Sequence, residues 1–202
     1  RSSEKLRKSG SEAETKALLY LMNFRMDSDK IYYFVVDFFN DLTGMDSMAS
    51  KLWDMQSKGA HNVGPNAIGK ELVTLFKNYM SELSFEAYIL FVGSVTGSLR
   101  KDSSIDIFGR SNIKESAIEL IKNGLVEEGK DKEYIDNDTL TEKNIDDFLD
   151  KVLIVVDNDK KPSEYVKAII KNHPNIIPEE KILDAIFNEI RDKQAGKKNA
   201  SS

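Results

Sequence analysis

Apolar residues recur along this chain in two periods, and the switches between them outline its elements. Ala13, Ala17, Leu18, Leu21 and Phe24 fall on one face at the 3.6-residue period, which predicts an opening helix from Ser11. Ser11 and Glu14 have the spacing of a capping box at its start. Residues 31–39, IYYFVVDFF, are β-branched and aromatic and predict a strand. Residues 40–45 continue into a second short strand or bend, 46–50 form a hairpin tip, and 51–59, KLWDMQSKG, form the return strand. Pro65 suits the first turn of a helix running to about Leu83, with Ile68, Leu72, Leu75, Phe76 and Tyr79 as its core stripe. Residues 85–95, FEAYILFVGSV, are the most apolar run and predict a central strand.

The second half is less sharply patterned. A loop with an uncertain short strand follows, then a helix over 112–123 and a polar, acidic stretch, LVEEGKDKEYIDND. Thr141 can cap a helix to about Asp150, and VLIVV (152–156) is a short buried strand. Two helices close the chain, from about Ser163 to Asn172 and from near Pro178 to Gln194. The Ile182, Ile186 and Ile190 stripe of the last helix reads as core. The order helix, three β segments, helix, strand, then helices around one more strand predicts an α/β fold, a mixed sheet flanked by helices with extra C-terminal helices. The expected organisation is a flexible arm over 1–10, one domain over 11–194 and a flexible tail over 195–202. The expected core includes Leu18, Leu21, Val35, Leu72, Phe76, Ile89, Phe91 and Ile154.

Composition narrows the chemistry. The 202 residues contain no cysteine, which excludes disulfides, thiol nucleophiles and Cys-based zinc sites, and only two histidines, His61 and His173, which excludes a His-rich metal cage. No apolar run approaches the roughly 18 residues of a membrane span, and no secretory signal is visible, so a cytoplasmic protein without membrane contact is expected. The chain does not begin with Met and is expected to be a fragment or a processed form. A net charge of -5 argues against a constitutive nucleic-acid coat, while leaving room for a local positive groove.

The chemistry-bearing residues concentrate in the predicted hairpin. Asp37 and Asp41 lie on or just after the first strand, and Gln56 and Lys58 near the end of the return strand. Strand side chains alternate, so Gln56 and Lys58 share a face, with Trp53 and Met55 on the other. On the first helix, Glu14 falls near the apolar stripe and Glu12 points away.

An acid-bearing strand, then Gln-x-Lys on its neighbour, then a helix and an apolar strand, resembles the PD-(D/E)xK, or restriction-endonuclease-like, nucleases. It is similar in particular to the DNA-degrading domains of bacterial antiphage effectors, including the endonuclease module of effectors associated with cyclic-nucleotide signalling. The resemblance covers residues 9–95 well and the rest loosely. It implies a metal-dependent endonuclease that cleaves DNA phosphodiester bonds in antiphage defence. Asp41 matches the family's metal-binding Asp, and Gln56-Ser57-Lys58 matches the (D/E)xK element with Gln in place of the acid. The implied Mg²⁺ or Mn²⁺ ligands are Asp41, Gln56 through its carbonyl, and Glu14 as an auxiliary. Lys58 would orient water or stabilise charge, and the catalytic set is Lys58, Asp41 and Gln56. The implied partners are DNA and a sensor or ATPase domain or partner protein, with room for a homo-oligomer.

Other readings stay open beside this one. Gln is a weaker ligand than a carboxylate, and with the net charge it favours an inactive nuclease-like fold that binds DNA or assembles with proteins. A further alternative is an unrelated α/β interaction protein in which the hairpin is structural. Glu14 fits a capping partner of Ser11 equally well. His61 reads as an exposed loop residue, His173 as a partner of helix-terminal carbonyls, and Asp136, Asp138, Asp146, Asp147 and Asp150 as solvated.

Overall fold

The computed structural model describes residues 8–170 and 178–200, so His173 lies outside the described residues. Six strands form one mixed sheet in the order β1-β2-β3-β4-β6-β5. They are β1 (Tyr33–Val36), β2 (Leu42–Met45), β3 (Leu52–Lys58), β4 (Phe85–Val92), β5 (Ile107–Phe108) and β6 (Val152–Val156). The first three form an antiparallel meander, β3, β4 and β6 run parallel, and β5 returns antiparallel at the far edge. The expected mixed sheet flanked by helices is the observed architecture.

Helices cover both faces. α1 (Lys8–Asn23), α6 (Pro162–Ile170) and α7 (Glu180–Ala200) lie on one. α2 (Pro65–Glu71), α3 (Val73–Tyr79), α4 (Glu115–Lys130) and α5 (Glu142–Leu149) lie on the other. Strand alternation divides the core between these layers. Ala87, Ile89 and Phe91 of β4 face the α1 layer with Trp53 and Met55 of β3, while Tyr88, Leu90 and Val92 face the α2 layer.

Several boundaries differ from the sequence expectation, each for a physical reason. α1 begins at Lys8, so Ser11 lies inside the helix and accepts a hydrogen bond at its carbonyl from Thr15; the capping-box reading is overturned. The helix expected over 65–83 is two short helices that break at Leu72, whose N–H is shared between the carbonyls of Ile68 and Gly69. The helix expected to end at 123 continues to Lys130, and β1 spans only Tyr33–Val36. The last helix runs to Ala200.

Six of the eight expected core residues are buried. Leu18 and Val35 stay half-exposed, Val35 because β1 is an edge strand. On α7 the inward positions are Leu183 and Phe187, and Ile190 packs partly buried against the same cluster, whereas Ile182 and Ile186 face outward, which corrects the core reading for those two.

α2 is locked to α4 by two glycines facing each other's backbone. A Cβ at Gly69 would lie 2.0 Å from the carbonyl oxygen of Ile121, and one at Gly124 would lie 2.0 Å from that of Asn66. This close approach fixes α2 over β3, and with it the polar side chains that α2 and α3 turn towards the strand.

Candidate active site

The hairpin register, Leu42↔Met55 and Thr43↔Asp54, sets Asp41 opposite Gln56 when it is continued one step. Between β1 and β2 the chain makes a tight turn. Asp37 takes the left-handed conformation (φ 56°), which Asp tolerates better than most residues, and its N–H donates to the carbonyl of Asp41 at 3.1 Å. The carboxylate of Asp41 then reaches β3. Its Oδ2 accepts the backbone N–H of Ser57 and the Ser57 hydroxyl, both at 2.8 Å. Asp41 thus caps the ladder where β2 supplies no further partner, and it meets the middle residue of Gln56-Ser57-Lys58.

Gln56 and Lys58 share one face of β3, as the alternation predicts, and that face is turned to α2 and α3. Lys58 Nζ pairs with Glu71 at 2.7 Å, Gln56 Oε1 accepts from the Thr74 hydroxyl at 3.4 Å, and Asp54 Oδ2 accepts from Asn78 at 2.7 Å. Residues 71, 74 and 78 have helical spacing, so each polar residue of the strand meets a polar residue of the helices. The Lys58 side chain is 47% exposed.

Asp54 was not singled out from the sequence. It is fully buried, and Asn40 Nδ2 donates to both of its oxygens at 2.9 Å. Burial pushes its carboxyl up to about 6 with help from the nearby charge of Asp41, against the pull of the Asn78 and Asn40 amides. Across the strand, Thr43 Oγ1 is buried with no hydrogen-bond partner. Tyr88, also beside Asp54, is pushed up to about 12, mainly by burial and then by the Asp54 charge.

Glu14 is half-buried and partnered. α1 runs along the direction of β2: Leu21 packs over Gly44, and Lys16 reaches Asp157 just beyond β6. Glu14 belongs to the α1 layer, whereas Gln56 and Lys58 face the α2 layer on the other side of the sheet.

A cleft of about 370 Å³ lies where the parallel strands terminate, lined by Glu12, Lys16, Gly59, His61, Gly93 and Asp157 among others. Lys16 is buried and bonds Asp157 at 2.8 Å, the carbonyl of Lys160 at 2.6 Å and Glu12 at 3.3 Å. The Tyr165 hydroxyl donates to Asp157, and its pKa is raised by burial and by that carboxylate. Glu12, which the helical phase turned away, therefore faces this cleft. His61 is exposed as expected and pairs with Asp159 at 3.3 Å. Asp146, expected to be solvated, instead pairs with Lys122 and Arg110.

Asp41 and Gln56 offer hard oxygen donors, the chemistry Mg²⁺ and Mn²⁺ require, and Oδ1 of Asp41 takes no part in its bonds to Ser57. Among the described residues no three His, Asp or Glu side chains gather in a group able to hold a metal, so a centre here would count the amide oxygen of Gln56 among its ligands. No described helix is long and apolar enough to cross a membrane. Comparison of the chain with protein-family models, curated proteins and solved structures finds no match.

Proposed function

We propose that this chain is a metal-dependent endonuclease domain that cleaves DNA phosphodiester bonds, serving as the effector of an antiphage defence system in the cytoplasm. One observation carries the reading: the carboxylate of Asp41 is seated on the backbone and hydroxyl of Ser57, the middle residue of Gln56-Ser57-Lys58, which puts the acid at that element of the strand. The helix, three-strand meander, helices and parallel strand around them support it, in the order that the family resemblance implies.

Asp41, Gln56 and Glu14 would hold Mg²⁺ or Mn²⁺, with Asp41 as the principal ligand. When bound, the metal would stabilise phosphate charge and lower the pKa of a water. Ser57 orients Asp41 through two hydrogen bonds, which leaves Oδ1 for a ligand. Lys58, held by Glu71 at the exposed end of β3, would place a positive charge beside the phosphate and position the attacking water. A sensor or ATPase domain, or a partner protein, would supply control, and a homo-oligomer is compatible with this reading.

A second reading is favoured by one observation: Gln56 and Lys58 are both engaged by α2 and α3, as in a purely structural polar seam. On that reading the fold is a catalytically inactive module for DNA binding or protein assembly. Isothermal titration with Mn²⁺ separates the two. The nuclease reading predicts binding by the wild type, its loss in Asp41→Ala, and tighter binding in Gln56→Glu, which restores a carboxylate. Unchanged binding in both variants would place any metal elsewhere, and no binding by the wild type would favour the inactive module.

A further inference from the structure

Two consecutive residues, Asn40 and Asp41, reach across to β3 and bracket Gln56. Asn40 bonds both oxygens of Asp54 on one side, and Asp41 bonds the backbone and hydroxyl of Ser57 on the other. Asp54 is in turn held from above by Asn78 of α3 at 2.7 Å. The turn that carries Asn40 and Asp41 is closed by the 3.1 Å bond from Asp37 N–H to the carbonyl of Asp41, and its first residue sits in the left-handed region. Phe39 of the same turn packs edge-on against Phe85, 5.4 Å between ring centroids. A short turn of this kind does not by itself fix a carboxylate to within the fraction of an ångström that a working site needs. The Asp54–Asn40 pair supplies what the turn lacks: a donor amide spread over both oxygens of a fully buried carboxylate, with no water to compete.

We propose that Asp54 is a positioning residue that pins Asp41 against β3 through Asn40. The proposal deepens the nuclease reading, because it explains how the principal ligand of that site is aimed. It also explains why a carboxylate occupies the buried face of β3, where the neighbouring strand carries only Tyr88, Leu90 and Val92. Asp54 touches neither phosphate nor metal in this scheme, and its effect travels one residue along the chain.

The test follows the Ser57 amide, whose partner is the side chain of Asp41 rather than a strand carbonyl. Residue-resolved hydrogen exchange by NMR is measured on the wild type, Asn40→Ala and Asp54→Asn, with the amides of Ile89 and Phe91 in β4 as references for general opening. The pin predicts Ser57 exchange at least about tenfold faster in both variants, a shifted Asp41 carboxyl carbon resonance, and unchanged Ile89 and Phe91. Ser57 protection unchanged in Asn40→Ala would overturn it, as would an equal rise at Ser57, Ile89 and Phe91. If Asp54→Asn fails to fold, Asn40→Ala, which leaves the sequence of β3 intact and breaks the same pair from the turn side, still decides.

Cleavage of plasmid DNA by the same proteins separates the proposal from the reading beneath it. In an active enzyme, Asn40→Ala should lower kcat with KM little changed. An active enzyme with kcat unchanged in Asn40→Ala refutes the pin alone. A wild type that cuts nothing, with the Ser57 response intact, refutes the nuclease reading alone.

Discussion

Under the same helical layer, two neighbouring parallel strands are built in opposite ways. β4 turns Tyr88, Leu90 and Val92 towards α2–α5, and all three are buried in one apolar cluster. β3, paired with it in register from Asp54↔Tyr88 to Lys58↔Val92, turns Asp54, Gln56 and Lys58 to the same side. The apolar strand is the cheaper solution, since each fully buried large side chain contributes about 1.5–3 kcal/mol. The polar strand returns far less: about 1 kcal/mol net for an ordinary hydrogen bond, set against the cost of burying a carboxylate. That cost is visible in the raised pKa of Asp54 and in the unpartnered hydroxyl of Thr43. A sheet selected only for stability would carry Val or Ile at these positions. Local rules broken over several adjacent residues, while the rest of the core obeys them, are the pattern expected at functional or strained sites.

The contrast can be broken from the apolar side first. Phe91→Ala removes a ring only 1% exposed in β4 and should cost about 3–5 kcal/mol in a denaturant titration. A loss below about 1 kcal/mol would mean that the centre of the sheet is not packed as described.

Asp54 should give the next largest effect, and its sign runs against the usual acidic behaviour. Its folded pKa of about 6 lies above the ordinary 3.8, so the folded state holds this proton more tightly than the unfolded one. The stability it contributes is present below pH 4 and is lost as pH rises through 6, by about 3 kcal/mol in total. Asp54→Asn removes that dependence. The stability of the wild type relative to Asp54→Asn should therefore fall between pH 4 and pH 7, and a difference independent of pH would show that Asp54 is ionised as easily as a surface carboxylate.

Gly69→Ala tests how α2 is held over the polar strand. The new methyl group would meet the Ile121 backbone, and the expected cost is about 1–3 kcal/mol or more. A neutral result would show that α2 can shift freely across α4. The smallest stability effect should come from Lys58→Ala. The Lys58 side chain is 47% exposed and that of Glu71 24%, so the pair should contribute less than about 1 kcal/mol. A larger loss would turn Lys58 into a structural residue.

Where periodicity and burial agree, the fold was legible. The Gln56–Lys58 strand, the apolar run of β4 and the VLIVV strand each lie where the pattern puts them, and Thr141 caps α5 by accepting from the N–H of Asn144. α1 was harder because α6 and α7 cover its outer side. Thr15 bonds Gln194, and Lys16 is buried against Asp157, so a helix with a polar-looking back is enclosed almost all round. Of the site, the shared face of Gln56 and Lys58 followed from strand alternation, whereas the place of Asp41 did not: a turn at Asp37 ends β1 and carries Asp41 to the start of β2, where its carboxylate bonds Ser57. Asp54 and its partner Asn78 did not follow, because a lone Asp in a strand reads as solvent-facing until the helix residue 24 positions later is known to cover it.

The central claim is that the acid, amide and lysine at the end of the hairpin form a metal-dependent nuclease site. The most direct test is cleavage of plasmid and linear DNA by the wild type and by Lys58→Ala, with Mg²⁺, with Mn²⁺ and with EDTA, beside a denaturant titration of both proteins. The account predicts cutting by the wild type only with metal, and none by Lys58→Ala although its stability stays within about 1 kcal/mol. Cutting that persists in Lys58→Ala or in EDTA, or a wild type that cuts neither substrate with either metal even beside its natural partner, would contradict it.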